Sequence, residues 1–112
     1  MAILARRHPD VPIVCVHVGG DWELGIRSVS SIPNVMIEVS GSYPTEGFVE
    51  MAVREVGADR VMFGSDMPGR SLASQLAKVQ GAQISESEKE LILGGNLRRL
   101  LAPIYQKKGL KL

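Results

Sequence analysis

Two side chains that can carry acid–base chemistry, His17 and Asp66, each follow a short apolar run. His17 comes after Ile13–Val16 and before a Gly-Gly pair, and Asp66 comes after Val61–Phe63 and before a Met-Pro break. Catalytic groups of parallel α/β proteins lie at the carboxyl ends of strands. An imidazole and a carboxylate at one such edge can serve as a general base and its partner, or as metal ligands. The alternatives are purely structural roles: a core histidine hydrogen-bonded to a backbone carbonyl, and an aspartate that forms a turn or caps a helix.

Strand alternation predicts how the two side chains meet. Side chains alternate across a strand, so two sets of residues would each face one way: Ile13, Cys15 and His17, and likewise Met62, Gly64 and Asp66. Strand ends of one polarity share one edge of a parallel sheet. We therefore predict that His17 and Asp66 share one rim.

Three further residues could belong to such a site. Glu38 could point toward it, but we favour a paired polar residue of an interior layer, because an unpaired buried carboxylate would be costly. Arg70 could grip an anionic substrate through its forked guanidinium, or simply be solvated. Trp22 could wall a pocket or pack on the edge of the sheet.

Three apolar runs read as the strands that position these residues, at about 12–17, 34–39 and 60–64. Nearly unbroken β-branched runs suit a parallel sheet covered on both faces. They recur every ~20–25 residues with helical patterns between them, which is the βαβ rhythm. The pattern predicts an α/β fold with a parallel sheet in a single domain, residues 1–112.

The helical patterns carry capping signals. Asp21 is a candidate N-cap for a helix that ends near Ser31, and Thr45 for one that ends at Val56. A further helix over 71–79 has one apolar face, formed by Leu72, Leu76 and Val79.

The chain ends in its clearest helical pattern. Ser85 and Glu88 form a capping box at the start of a final helix over about 86–101, and Pro103 is predicted to end it. At the other end, Met1–Arg7 looks like the last turns of a helix, so we expect the chain to begin inside a larger fold.

Composition excludes several classes of function. The 112 residues allow at most one domain, and 13 basic against 12 acidic side chains give no electrostatic case for nucleic acid or an anionic membrane. The single cysteine, Cys15, lies in an apolar run, where a small buried hydrophobe is expected, and it permits no intrachain disulfide, which fits a reducing compartment. No run approaches the ~20 residues of a membrane helix, and no signal peptide is evident. We expect a soluble cytoplasmic protein.

Four segments, in this order and at this spacing, resemble the C-terminal part of the amidohydrolase-related metal-dependent hydrolases. They are Val14–Gly20, Asn34–Gly41, Arg60–Pro68 and Leu93–Leu100. This branch of the amidohydrolase superfamily also holds the aminocarboxymuconate-semialdehyde-type decarboxylases. The resemblance covers nearly the whole chain. It implies a partial TIM (β/α)8 barrel, the last three parallel strands with their helices, and a divalent metal, often zinc, at the C-terminal mouth.

The resemblance also implies roles for the candidate residues. His17 matches the histidine that ends the sixth strand and acts in acid–base chemistry or supports the metal. Asp66 matches the aspartate that ends the eighth strand, binds the metal and orients or deprotonates its water, whose pKa a metal lowers toward ~7. Gly94–Asn96 would belong to a structural final helix. From their residue types and places in the chain, and not from the resemblance, we expect Trp22 and Arg70 to contact a small-molecule substrate.

The sequence departs from the family in its metal ligands. The His-x-His pair of the first strand and the histidine of the fifth strand are absent, because His8 and His17 are the only histidines. A metal held by Asp66 with help from His17 would be under-ligated for a tight zinc site. The missing strands would leave open sheet edges and uncovered apolar faces.

These features support three hypotheses. We favour the C-terminal part of a metal-dependent hydrolase or non-oxidative decarboxylase of a small carboxylate or lactone-like substrate, inactive alone. The second is a short binding or structural α/β module without catalysis, which self-associates as a homo-oligomer to cover its edges. The third is a metal-free acid–base pair formed by His17 and Asp66.

Overall fold

The computed structural model describes residues 1–42 and 46–111. Within these residues, a parallel sheet of three short strands forms the centre of the molecule. The strands are β1 (Ile13–Cys15), β2 (Val35–Glu38) and β3 (Val61–Met62), with β2 in the middle. Ile13 pairs with Val35, and Glu38 pairs with Met62. The predicted α/β fold with three parallel strands is confirmed, although each strand is shorter than its apolar run.

In the described residues, six α-helices accompany the sheet: α1 (Ala2–Arg7), α2 (Trp22–Val29), α3 (Phe48–Val56), α4 (Leu72–Gln80), α5 (Glu86–Glu90) and α6 (Asn96–Lys107). Short 3₁₀ segments follow β1 over Val16–Gly19 and precede β3 over Ala58–Arg60, and a π-helical turn, Leu91–Gly95, joins α5 to α6. Within the described ranges, no helix is both long and apolar enough to cross a membrane.

The cap predictions can be checked at two helices. Asp21 Oδ1 accepts a hydrogen bond from Leu24 N at 3.1 Å, which confirms the N-cap of α2. Ser85 and Glu88 form the predicted reciprocal capping box at α5. The predicted cap Thr45 lies outside the described residues, and α3 begins at Phe48.

The final helical region differs from its prediction in two ways. It is divided by the π-helical turn, and it runs through Pro103 to Lys107 rather than ending before the proline. Pro103 and the residue one turn earlier, Arg99, are both exposed. Water can therefore reach the carbonyl that proline leaves without a partner, so the helix continues.

The core lies on both faces of β2. All four residues of β2 are buried, and α2 and α3 contribute Ile26, Val29, Phe48 and Ala52. The face predicted for α4 is wrong at one end, because Leu72 is 43% exposed whereas Gln75 is 3% exposed. Gln75 takes the buried position because its side-chain amide donates to the carbonyl of Gly41 at 3.2 Å.

Candidate active site at the carboxyl end of the sheet

A left-handed turn places His17. β1 ends at Cys15, so the expectation that His17 lies on the strand and follows its alternation is wrong. Instead His17 has φ 54° and Val18 has φ 47°, a region that residues other than glycine seldom occupy. Each such residue costs roughly 1–2 kcal/mol, so the surrounding contacts must hold the turn.

Asp66 reaches the same place from the other side of the sheet. β3 ends at Met62, and Asp66 itself has a left-handed φ of 51°, just before the cis peptide bond Met67–Pro68. Its Oδ1 lies 3.5 Å from Nε2 of His17. The structure thus brings the two predicted residues together, through two irregular turns rather than through strand alternation.

Arg70 reaches over Asp66 from the following loop. Its Nε lies 3.9 Å from Asp66 Oδ2, and its two terminal nitrogens donate to Ser42 Oγ at 2.5 Å and to the carbonyl of Gly69 at 2.7 Å. Arg70 is therefore more than a solvated surface charge. It places positive charge beside the carboxylate that faces His17.

Trp22 both packs on the core and lines a small cavity. Its ring centroid lies 5.3 Å from that of Phe48, with the planes tilted by 46°. The two rings line a cavity of about 80 Å³ next to His17. The other described residues lining this cavity are Gly20, Ser40, Gly41 and Ser42. Its walls combine aromatic faces with hydroxyl groups.

A cation that the sequence reasoning missed, Lys78 of α4, also faces this edge. Its Nζ donates to the carbonyl of Gly41 at 2.9 Å and to that of Val39 at 3.4 Å, and lies 6.0 Å from the Phe48 ring centroid. Burial lowers the pKa of Lys78 below its ordinary value, Arg70 lowers it further, and the charges of Glu38 and Asp66 oppose the shift.

One signal in the sequence could have found Lys78. Gln75 and Lys78 are spaced i, i+3 on a predicted helix, on the side of the buried Val79. Two polar residues on the apolar face of a helix indicate that hydrogen-bond partners lie on the element packed against that face. Here the partners are the backbone carbonyls that follow β2.

Glu38 lies under the site, at the end of β2. It is 7% exposed, and its two carboxylate oxygens accept hydrogen bonds from His17 N at 3.1 Å and from Ser40 N at 3.0 Å. The interpretation of Glu38 as a paired interior carboxylate is confirmed. The pairing also joins the end of β2 to the turn that carries His17.

The described residues do not make up a complete metal site. His17 and Asp66 offer one nitrogen and one carboxylate donor, and Glu38 is occupied by two backbone N–H groups. Between residues 1 and 42 and between 46 and 111, no group of three or more His, Cys, Asp or Glu side chains could hold a metal ion. Catalytic zinc takes three protein ligands, so the described residues fall short of a zinc site by at least one donor.

The arrangement is suited to proton transfer at His17. Nε2 faces the Asp66 carboxylate, which can hold the ring in one orientation. The two side chains are 43% and 27% exposed, so a substrate can reach them.

Comparisons with known proteins identify the family and support the fold of this chain. The amidohydrolase family model matches residues 1–102. The chain is 30% identical to an uncharacterized protein from Sinorhizobium fredii, over 70% of this chain and 33% of that protein. It is also 30% identical to a gamma-resorcylate decarboxylase from Polaromonas sp., over 60% of this chain and 20% of that enzyme. The chain therefore spans a third or less of the length of these relatives.

Solved structures share the fold. A 2,6-dihydroxybenzoate decarboxylase from Rhizobium superimposes with a TM-score of 0.72 at 21% identity, over 90% of this chain and 38% of that one. An amidohydrolase from Burkholderia multivorans with bound zinc gives a TM-score of 0.73 at 21% identity, over 90% of this chain and 47% of that one. Since the family model matches residues 1–102 of 112, the chain belongs to the amidohydrolase family, as its four sequence motifs predicted.

Proposed function

We propose that this chain is the C-terminal part of a metal-dependent hydrolase or non-oxidative decarboxylase that acts on a small carboxylate or lactone-like substrate. The observation that carries the proposal is the His17–Asp66 pair, 3.5 Å apart at the carboxyl end of a parallel sheet. The decarboxylases among the relatives support a carboxylate substrate. In the complete protein, the three strands would be the last three of a (β/α)8 barrel, which fits the share of each solved relative that the chain covers.

The side chains at this edge have distinct proposed roles. His17 moves the proton at Nδ1, the ring nitrogen that does not face Asp66: it takes one from water in a hydrolysis, or gives one to the carbon that carbon dioxide leaves in a decarboxylation. Asp66 orients the imidazole and is the residue of this chain that contributes to the metal site. Arg70 contacts the substrate carboxylate, and Trp22 packs against the apolar part of the substrate.

The metal belongs to the complete protein in this proposal. The zinc bound by the Burkholderia relative supports a divalent metal, with zinc as the first choice. The described residues of this chain supply too few donors to hold it, so we assign no catalytic step to the metal, and we expect the chain to be inactive alone.

The single cysteine supports a proposal for the location of the protein. Cys15 is free and buried, which fits a reducing compartment such as the cytoplasm. We propose that the complete enzyme works there.

A second candidate function has its own observation. In the part of the chain that the structure describes, β1 and β3 each pair only with β2, and Val11 and Val16 beside β1 are 51% and 55% exposed. Unpaired edges with apolar neighbours favour association with another chain. A homo-oligomeric binding module without catalysis would show a mass that rises with concentration in sedimentation equilibrium, with no metal bound. A monomer would contradict it.

The decisive experiment uses the reading frame extended upstream. We expect it to encode a His-x-His pair, to bind about one metal per chain and to act on a panel of aromatic carboxylates and lactones. Asp66→Asn should lower metal content and activity, and His17→Ala should lower kcat by about 100-fold or more. The exposed Asp10→Asn is the matched control and should change neither. The absence of a His-x-His pair upstream, or turnover without metal, would overturn the proposal.

A further inference from the structure

The turn that carries His17 is held in an unusual shape inside the molecule. Val18, which shares the left-handed conformation of His17, is fully buried. A β-branched residue in this region is a genuine outlier, and such residues persist only where the surroundings enforce them. The question is which group enforces this turn.

Glu38 makes the hydrogen bond that starts the turn. Its Oε2 accepts from the backbone N–H of His17 at 3.1 Å, the first N–H with left-handed geometry. Its Oε1 accepts from Ser40 N at 3.0 Å, so the carboxylate is itself fixed to the end of β2. A charged acceptor makes hydrogen bonds roughly twice as strong as a neutral one. The position of His17 is thereby tied to the middle strand of the sheet.

Neighbouring backbones are shaped around this contact. A Cβ built on Gly64, after β3, would overlap the Oε1 atom of Glu38. A Cβ built on Gly25, in α2, would overlap the carbonyl of Val18. One glycine in the loop after β3 thus makes room for the carboxylate, and one in α2 makes room for the turn that it holds.

The turn determines where the imidazole points. With His17 in this conformation, Nε2 faces Asp66 Oδ1 at 3.5 Å. A right-handed or extended His17 would swing the ring away from Asp66, since φ sets the direction of the side chain relative to the strand. We propose that Glu38 is a positioning residue, which holds the left-handed turn and so aims His17 at Asp66. The importance of this pair for catalysis rests on the proposed function, but the claim about its geometry does not.

The test compares Glu38→Met with the unchanged chain by NMR. Methionine keeps the length of the side chain and suits a buried site, so the fold is expected to survive while both acceptors are lost. A positive φ shortens the distance between HN and Hα of the same residue and gives a strong NOE. We expect this NOE to be lost at His17 and Val18 in Glu38→Met, together with the NOE between the His17 imidazole and the Asp66 methylene.

A matched control and a second variant separate positioning from general stability. Glu50 also accepts a hydrogen bond from a backbone N–H, that of Gln83 at 2.7 Å. Glu50→Met should therefore remove the protection of the Gln83 amide from hydrogen exchange and leave the His17 signals unchanged.

Glu38→Gln is the second variant and keeps one acceptor. It should retain either the NOE at His17 or the protection of the Ser40 amide from hydrogen exchange, but not both. Should Glu38→Met fail to fold, Glu38→Gln decides alone. Unchanged His17 and Ser40 signals in a folded Glu38 variant would overturn the proposal.

The complete enzyme offers an activity readout that a merely structural role would not produce. There, Glu38→Met should lower kcat by about 100-fold with little change in KM, because a misplaced catalytic group loses that much. Should the extended chain prove inactive, the proposed function fails while the NMR result on His17 still stands.

Discussion

At the scale of single residues, the site depends on where side chains are absent as much as on where they are present. Gly64 follows β3 at the point where the Glu38 carboxylate lies, and a Cβ there would overlap Oε1. The carboxylate cannot move without giving up its bonds to His17 N or Ser40 N. A methyl group at position 64 therefore acts directly on the geometry of the site.

We predict that Gly64→Ala lowers the free energy of unfolding by about 1–3 kcal/mol, the usual cost of overpacking. Gly94→Ala is the control, because a Cβ there meets no atom of the described residues within 4 Å. It should change the free energy by no more than about 0.5 kcal/mol. Urea unfolding followed by circular dichroism measures both. Equal effects of the two substitutions would contradict the packing argument.

At the scale of elements, one arginine ties together the amino ends of the strands. Arg60, just before β3, donates to the carbonyls of Ser30 and Ile32 at 2.8 and 2.7 Å, and to that of Val56 at 2.9 Å. These carbonyls belong to the end of α3 and to the connection from α2 to β2. One guanidinium thus connects the start of β3 to the end of α3 and to the segment between α2 and β2. This contact lies at the amino ends of the strands, whereas the candidate site lies at their carboxyl ends.

Arg60→Lys should therefore be destabilising although it keeps the charge. An ammonium cannot reproduce the planar fork, so carbonyls lose their donors, and we expect a loss of about 2–3 kcal/mol in the free energy of unfolding. Arg54→Lys, at an exposed arginine whose partner among the described residues is its neighbour Glu55, should cost less than about 0.5 kcal/mol. Guanidinium unfolding of the two variants checks this, and a loss at position 60 as small as that at position 54 would refute it.

The capping box of α5 predicts a dependence on pH. The backbone N–H and then the hydroxyl of Ser85 donate to Glu88 and lower the pKa of that carboxyl. A carboxyl with a lower pKa in the folded state stabilises the fold above its unfolded pKa, about 4.3 for glutamate. That contribution is lost as the pH falls through the folded pKa.

Glu88→Gln should consequently lower Tm near neutral pH, and the difference from the unchanged chain should shrink as the pH falls below about 4. The exposed Glu90, later in the same helix, is the control, and Glu90→Gln should show no such convergence. Thermal unfolding across this pH range measures both. A constant difference at Glu88 would show that its charge does not matter to the cap.

At the scale of the whole molecule, the chain brings a catalytic-type pair together without a complete metal site. It spans 33% and 20% of the two curated relatives, and its described residues contain no set of three metal donors. Under the proposed function, the candidate site is therefore one part of the active site of the complete enzyme.

We therefore predict that the chain alone, exposed to zinc or manganese and then desalted, retains less than about 0.2 metal ions per chain, because two donors do not hold zinc tightly. Elemental analysis measures the ratio, with Asp66→Asn as the comparison. A ratio near one that falls in Asp66→Asn would mean that further ligands are recruited, for example from another copy of the chain.

The sequence alone determined the features that depend on local pattern. The order of strands and helices, the caps of α2 and α5, the family and the shared edge of His17 and Asp66 could all be read from apolar periodicity, capping chemistry and four motifs. The order of the elements and the caps are local features, since they depend on residues within one or two turns of each other. The shared edge follows from the common direction of parallel strands, and the family from the order and spacing of the four motifs.

Only the tertiary structure decided how the site is built. The left-handed turn at His17, the Glu38 bridge beneath it and the reach of Lys78 to the carbonyl of Gly41 join residues 21 to 37 positions apart. The conformational preferences of single residues cannot predict these contacts. An unfavourable backbone conformation or a buried charge becomes stable only once distant partners are in place. The side of α4 that faces the core was likewise settled by a distant acceptor rather than by its own apolar stripe.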